Sequence, residues 1–463
     1  MGTKNQSSDT TVSDHKKRRK VGFNKIDEGV LPNDYIKIYF VSREDEVGSP
    51  ESFPIEPVDL SSFFEEDGKI YGYQGLKITV WISSISFQAY ADISFESASD
   101  AGKGITDLKS SLEKIFADNL VETKDDFLKT FSTESDYVKS MISSGKVIQQ
   151  NVPPQGNENL KADCSELEVV RVEGESMGLL YCRLVPLVLL LVDGSNPIDV
   201  TDPDWEMYLL VEKKSDQQDS PVKLLGFAAL YRFFHYPDTH RLRLGQILVF
   251  PSYQRKGYGG HLLQVLTNMV VSDNVYDLSI EEPLDSLQHV RACIDIPRLL
   301  ALESIQPSLN SVVARLKEEN LAKRTTITRF GPPSDTIEEV RKTLKINKKQ
   351  FVQCWEILIY IALDPIDKFL ENFKTIVLDR IRADVIGKDT GASGKRVIDI
   401  PTEYDPEASF VMFKTSGGDG EESKEVEMEE DDKIKQEEQL QKLVDARIEA
   451  IKVVAQKVSV KSS

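Results

Sequence analysis

Residues Leu242 to Gly260 combine groups that could hold an anion. Gln254-Arg255-Lys256-Gly257-Tyr258-Gly259-Gly260 is a glycine-rich turn. It comes after an apolar run, Leu242 to Val249, and precedes His261 to Val270, which is apolar at helical spacing. Strand, glycine turn and helix form the arrangement in which backbone N–H groups converge on a phosphate at a helix N-terminus. Gly257 and Gly259 permit close backbone approach. The turn has no Gly-Lys-Ser/Thr ending, which excludes a Walker A loop. No acidic residue stands on a later strand where a dinucleotide ribose needs one. The remaining readings are a cradle for a pyrophosphate and a tight strand-to-helix connection. Downstream, Val275 to Ile280 reads as a strand ending in Glu281-Glu282-Pro283. Alone, those acids are an ordinary acidic turn before a helix. Beside the glycine turn they become candidates for chemistry.

The elements that must position these residues are legible on both sides. Tyr35 to Val41 and Leu76 to Ile82 alternate apolar and polar residues as half-buried strands do, and Phe87 to Phe95 continues the set. Residues 104–146 are amphipathic at helix spacing, with Leu108, Leu112, Ile115 and Phe116 on one face. The segment 149–158 reads as a linker. Glu166 to Val172 is expected to be a strand. Met177 to Val192 is expected to be a helix that Pro186 kinks or interrupts. Trp205 to Glu212 and Lys223 to Phe234 read as a hairpin. Residues 301–385 are mostly helical. The last stretch carries Leu440, Leu443, Val444, Ile448, Ile451, Val454 and Val458 near helical spacing. It is either a partner-binding helix or one folded back on the body. The divisions expected are a disordered basic tail (1–30), an α/β domain (31–150), a second α/β domain (160–300), a helical domain (301–410), and an acidic segment with an amphipathic helix (411–463).

Composition narrows the class. No apolar run reaches membrane-spanning length, and the N-terminus has no apolar secretory segment, so no membrane association is expected. The net charge of −19 argues against DNA binding by the whole protein and fits a cationic partner. His15-Lys16-Lys17-Arg18-Arg19-Lys20 stands out in this acidic chain and reads best as a nuclear-import signal. The four cysteines form no CxxC, and neither they nor the five histidines have metal-site spacing, so reduced thiols and no metal are expected.

Gln254 to Gly260 after an Ile-Leu-Val-Phe-Pro strand resembles the acetyl-coenzyme A loop of the GNAT acetyltransferases. Ile247 to Gly259, Leu278-Ser279-Ile280-Glu281-Glu282-Pro283, Val290-Arg291, Ile198 to Trp205 and Tyr71 to Ile78 together resemble the type B histone acetyltransferase catalytic subunit. The resemblance runs from about residue 35 to about 300 and more weakly to about 385. It implies an α/β fold: a GNAT core with a mixed sheet, preceded by an α/β histone-tail-binding domain and followed by a helical region. It also implies acetyl transfer from acetyl-CoA to lysines in the N-terminal tail of newly made, free histone four, in nucleus and cytoplasm, with a WD-repeat histone-binding subunit as partner.

The resemblance assigns roles. Ile247, Leu248, Val249, Gln254, Arg255, Lys256, Gly257, Tyr258, Gly259 and Gly260 would hold the cofactor through main-chain groups. The oxyanion donor is expected near Leu248 or Val249. Lysine must lose a proton before attacking a thioester, and a carboxylate in a partly apolar site suits that task. Glu281 matches the family's general base. Glu282 and Asp193 match further acidic positions, although the family usually has Asp and Glu there respectively. Glu65, Glu66 and Asp67 fall where the family places an acidic substrate contact. Trp205 and the strand carrying Tyr231, Arg232 and Phe233 are expected to touch the peptide, with sheet packing as the alternative for the aromatics. Cys182 and Cys293 read as packing cysteines, and no covalent acyl-enzyme is required. A weakly catalytic histone-binding chaperone and a GNAT enzyme for other amines are the competing readings. An intact glycine turn and Glu281 separate an enzyme from a pure binder.

Overall fold

The computed structural model describes residues 28–150 apart from 66 and 101, 165–214 apart from 193, 222–318, 330–363, 366–385 and 430–462. The basic head, the 411–429 acidic segment, Cys164 and most of the expected linker lie outside these residues. The N-terminal sheet contains β1 (Ile36–Val41), β2 (Phe53–Ile55), β3 (Lys77–Ser83), β4 (Ala89–Ser94) and β5 (Leu120–Val121), in the order β2-β1-β3-β4-β5. The alternation expected for β1 holds: Ile36, Ile38 and Phe40 point into the core. The amphipathic 104–146 stretch resolves into α1 (Leu108–Phe116), α2 (Lys124–Thr133) and α3 (Tyr137–Ile142).

A second sheet contains β6 (Lys146–Gln150), β7 (Ser165–Val172), β8 (Trp205–Lys214), β9 (Lys223–His235), β10 (Thr239–Val249) and β11 (Leu278–Ile280), in the order β11-β10-β9-β8-β7-β6. Every pairing is antiparallel except β10 with β11. The sheet therefore reaches back to Lys146, and the expected domain boundary at 150 falls after its edge strand rather than before it. Helix α4 (Gly174–Leu191) covers one face, and α5 (Tyr258–Ser272) covers the other. The α4 side is a single apolar core shared with the N-terminal sheet, including Ile38, Val80, Leu184, Leu187, Leu209, Phe227 and Leu248. Helix α4 is long and apolar enough to cross a membrane, but its Leu180, Leu184, Leu187 and Val188 are spent on this core.

Of the kink or interruption expected at Pro186, the interruption does not occur: α4 runs through it. A helix-interior proline costs about 3 kcal/mol because it removes one N–H and crowds the carbonyl four residues back. Four fully buried apolar side chains at roughly 2 kcal/mol each outweigh that. The carbonyl that Pro186 cannot serve, Cys182 O, accepts instead from Asn119 Nδ2 at 2.9 Å. A side chain of the N-terminal unit thus completes the helix. Cys182 itself is exposed, which corrects its reading as a packing cysteine.

The remaining helices form a third body: α6 (Asp285–Leu300), α7 (Ile305–Glu318), α8 (Ser334–Leu344), α9 (Lys348–Ala362), α10 (Asp367–Val385) and α11 (Glu430–Ser462). Helix α11 is folded back. Leu440, Leu443, Val444, Ile448, Ile451, Val454 and Val458 are all buried in the same core as Ile296, Phe351 and Val377. The expected divisions at 300 and 410 accordingly cut through one packed unit. Glu356 on α9 pins it together. Its carboxylate accepts from Arg380 Nε and Nη2 on α10 and from Arg447 Nε on α11, the last at 3.1 Å. Removing one member of such a buried cluster leaves uncompensated charge and costs about 3 kcal/mol or more. Glu356→Ala should therefore lower the melting temperature and speed amide exchange along α11. Glu356→Gln should do so less, and calorimetry with hydrogen-exchange mass spectrometry reads both.

Candidate active site

The site begins where one sheet ladder stops. β10 and β11 pair only over Leu242–Leu244 and Leu278–Ile280, and the last bond runs from Glu281 N to Leu244 O at 3.0 Å. On its other side β10 pairs Leu244 with Leu230 and then Gln246 with Ala229. Gly245 is the extra residue of a β-bulge, which bends the strand and re-aims the residues beyond it. Past this point a crevice of about 800 Å³ opens between Gly245–Val249 and Glu281–Leu284. The absence of a side chain at Gly245 matters, because a Cβ there would sit 3.0 Å from the Trp205 ring and 3.6 Å from Glu281 Oε2.

Gln246 fixes the near wall. Its side chain is buried and receives the Tyr181 hydroxyl at 2.8 Å, while its Nε2 donates to Ser195 Oγ at 3.0 Å and Asn196 O at 2.8 Å. Tyr181 in turn accepts from Ile198 N at 3.1 Å. Burial pushes the Tyr181 phenol up from its ordinary pKa, so it stays a donor at neutral pH. The loop after α4 is thereby tied to the bulge. Asp193 lies outside the described residues, but its neighbours Leu191 and Val192 line the crevice.

The far end is the glycine turn. Gln254 Nε2 caps Val249 O at 2.9 Å, Arg255 has φ +62° and Gly257, the N-cap of α5, has φ +89°. A side chain at Gly257 would be strained by about 1–2 kcal/mol. Gly259 differs: its φ is ordinary, and a Cβ would meet only Val249 Cγ2, at 3.6 Å. No described residue crowds that position, so the space a side chain would fill is open to a ligand lying against the turn. The first-turn N–H groups of α5 have no carbonyl of their own helix to bond. Nine of the ten residues expected at the cofactor line the crevice: Ile247, Leu248, Val249, Gln254, Arg255, Gly257, Tyr258, Gly259 and Gly260. Lys256 does not. Its ammonium turns back to Ser252 O at 3.0 Å.

Glu281 and Glu282 line the other wall, Glu282 with φ +37°. The Glu281 side chain is 49% exposed and lies 3.5 Å from Arg243 Nη1, a wetter and more cationic setting than the partly apolar one expected. Arg243 stacks over Phe233 at 4.5 Å, and Phe233, Tyr231 and Trp205 continue as ring contacts at 4.5 and 5.1 Å. The Tyr231 hydroxyl donates to Asp202 Oδ2 at 3.0 Å, which raises its pKa. Arg232 belongs to the opposite face, as strand alternation requires. It is ion-paired with buried Glu206, beside Arg171, and is not placed to meet a substrate with Tyr231 and Phe233. Glu65 and Asp67 do not line the crevice; Asp67 accepts from the Tyr71 hydroxyl, which holds its carboxyl below the usual range. Glu66 is outside the described residues. Cys293 lies 3.7 Å from His289 Nε2 but does not line the crevice. Among the described residues no His/Cys/Asp/Glu group could hold a metal ion.

Sequence reasoning missed Gly245, Gln246, Arg243, His289 and Lys457. A glutamine inside an apolar strand is a usable signal for Gln246. Lys457 has none, since it comes to the crevice from α11. The arrangement as a whole can hold an elongated anionic ligand between separated strands. It offers helix N–H groups at one end and a carboxylate at the other.

The description "Histone acetyl transferase HAT1 N-terminus" matches residues 30–193, and "Acetyltransferase (GNAT) family" matches 195–287. A histone acetyltransferase type B catalytic subunit of Arabidopsis thaliana is 51% identical over 99% of this chain and 98% of its own length. One of Zea mays is 46% identical over 99% and 97%. A solved probable acetyltransferase, 22% identical, covers 27% of this chain and 87% of its own, with a TM-score of 0.22.

Gln246→Ala would leave the Ser195–Ile198 loop without its tie to the bulge, at a cost of about 2 kcal/mol. Amide exchange at Ile198 should accelerate while that in β9 stays slow, as hydrogen-exchange mass spectrometry can resolve.

Proposed function

Because the chain belongs to the type B histone acetyltransferase catalytic subunit family, and is thus an acyltransferase with a GNAT domain, we propose that it acetylates lysines in the tail of free histone four with Glu281 as general base. The observation that carries this is the position of Glu281. Its backbone N–H makes the last bond of the β10–β11 ladder, so its carboxylate stands where the crevice opens. The crevice suits acetyl-CoA, which supplies an activated thioester. The first turn of α5 would hold its pyrophosphate by main-chain N–H groups, and Ile247 to Val249 would line its pantetheine arm. A strand N–H near Leu248 or Val249 would supply the hydrogen-bond donor that acyl transfer from a thioester needs.

Glu281 accepts the proton that the lysine ammonium must lose. Arg243, its present neighbour, shares or yields the carboxylate when the substrate amine arrives. Glu282 and Asp193 help hold the amine. Trp205, Tyr231 and Phe233 flank the aliphatic stem of the lysine. The net charge of −19 favours a basic tail over a nucleic acid as substrate. By family resemblance the enzyme works in nucleus and cytoplasm with a WD-repeat histone-binding subunit.

Glu281→Gln keeps the shape and removes the base. Steady-state assays on a histone-four tail peptide should show kcat lowered by about 10²- to 10³-fold with acetyl-CoA affinity nearly unchanged. Near-normal turnover by a folded variant would remove Glu281 from the role.

A further inference from the structure

The crevice has a wall that neither the glycine turn nor the sheet provides. Helix α11 carries Lys457 to it, from a segment remote in sequence. The placement is not accidental surface drift. Val454 and Val458, flanking Lys457 on the helix, are each only 3% exposed, and Arg447 ties the same helix to Glu356. Lys457 Nζ lies 3.3 Å from His289 Nε2 on α6, and both residues line the crevice with Arg255 and the first turn of α5. Val290, next to His289, stands 3.6 Å from where a Cβ on Gly260 would be. The lysine and histidine thus border the anion-binding turn.

The electrostatics point the same way. Burial, and then the Lys457 ammonium, push His289 below its ordinary pKa, so at neutral pH its Nε2 accepts from the lysine. His289 orients the ammonium without competing for an anion. No carboxylate pairs with Lys457 among the described residues. In a chain of net charge −19, a cation held at the mouth of a crevice beside a helix N-terminus is arranged for an anionic ligand. Among the described residues the acids lining the crevice, Glu281 and Glu282, are on the strand side, where the amine is to arrive.

We propose that Lys457, delivered by the C-terminal helix and oriented by His289, binds a phosphate of the cofactor, so that docking of α11 completes the acetyl-CoA site. The proposal rests on acetyl-CoA being the crevice ligand. Acetyl-CoA offers two phosphate groups of the same chemistry: the ribose 3′-phosphate and the pyrophosphate.

Isothermal titration of the full chain with acetyl-CoA and with its 3′-dephospho analogue tests this. Lys457→Met keeps the hydrocarbon stem on the helix, Lys457→Arg keeps the charge and Lys457→Glu reverses it. A single exposed charge-assisted contact predicts about a five- to tenfold weaker affinity for acetyl-CoA in Lys457→Met, a larger loss in Lys457→Glu and near-native binding in Lys457→Arg. The melting temperature should not change, and the loss should shrink at high salt. If the Met effect vanishes with the dephospho analogue, the contact is to the 3′-phosphate; if it persists, it is to the pyrophosphate. Native affinity in both Lys457→Met and Lys457→Glu, while the unaltered protein binds, overturns the role of Lys457 alone. Failure of the unaltered protein to bind acetyl-CoA would overturn the cofactor reading and this inference with it.

Discussion

The hydrogen bond from Glu281 N to Leu244 O is the last rung of a ladder that then fails, and the rest of the site depends on that failure. Two parallel strands normally keep pairing while both remain extended. Here Gly245 inserts an unpaired residue, β10 bends, and β11 ends at Ile280. Backbone that would have been spent on the partner strand is left facing a crevice. A ligand with an amide-containing arm can take the place of the missing strand. The same break fixes the position of the Glu281 carboxylate, which no flexible loop could hold as well.

A crevice between separated strands must be held open from outside. The α4 core supplies one brace, shared between the two sheets, and Asn119 completes the helix at the carbonyl that Pro186 leaves unserved. Gln246 joins that helix to the bulge through Tyr181. The helical body supplies the other brace: α6 forms one wall, and α11 is clamped across it by Glu356. The catalytic fold is therefore bounded on both sides by segments that lie outside its glycine turn and its Glu281 strand.

Local chemistry is the part of this molecule that the sequence makes legible. The glycine turn declares itself because Gly257 must adopt φ +89° at a helix start. Strand alternation marks β1 and β3, the hairpin pattern marks β8 and β9 and an apolar run marks most of β10, which begins three residues before Leu242, and the family resemblance fixes the fold class. The errors come from tertiary context. Local cost alone makes Pro186 a place where α4 could kink or stop, and the packing of α4 carries the helix through it. Adjacency groups Arg232 with Tyr231 and Phe233, although period-two alternation already puts it on the other face. The edge strand β6 falls to the wrong unit because pairing across a long connection leaves no local mark. Lys457 and His289 meet across 168 positions, beyond the reach of any spacing rule.

If Glu281 is the base, the substrate amine and the thioester must meet at the broken rung, within its reach. This meeting is tested most directly by a crystal structure with a bisubstrate ligand, coenzyme A linked through its sulfur to the ε-amine of a lysine in a histone-four tail peptide. The pantetheine arm should lie between Ile247–Val249 and Glu281–Leu284. The ε-nitrogen should come within hydrogen-bond reach of the Glu281 carboxylate, directly or through one water. A complex in which that nitrogen approaches a different base, with Glu281 turned away toward Arg243, would contradict it.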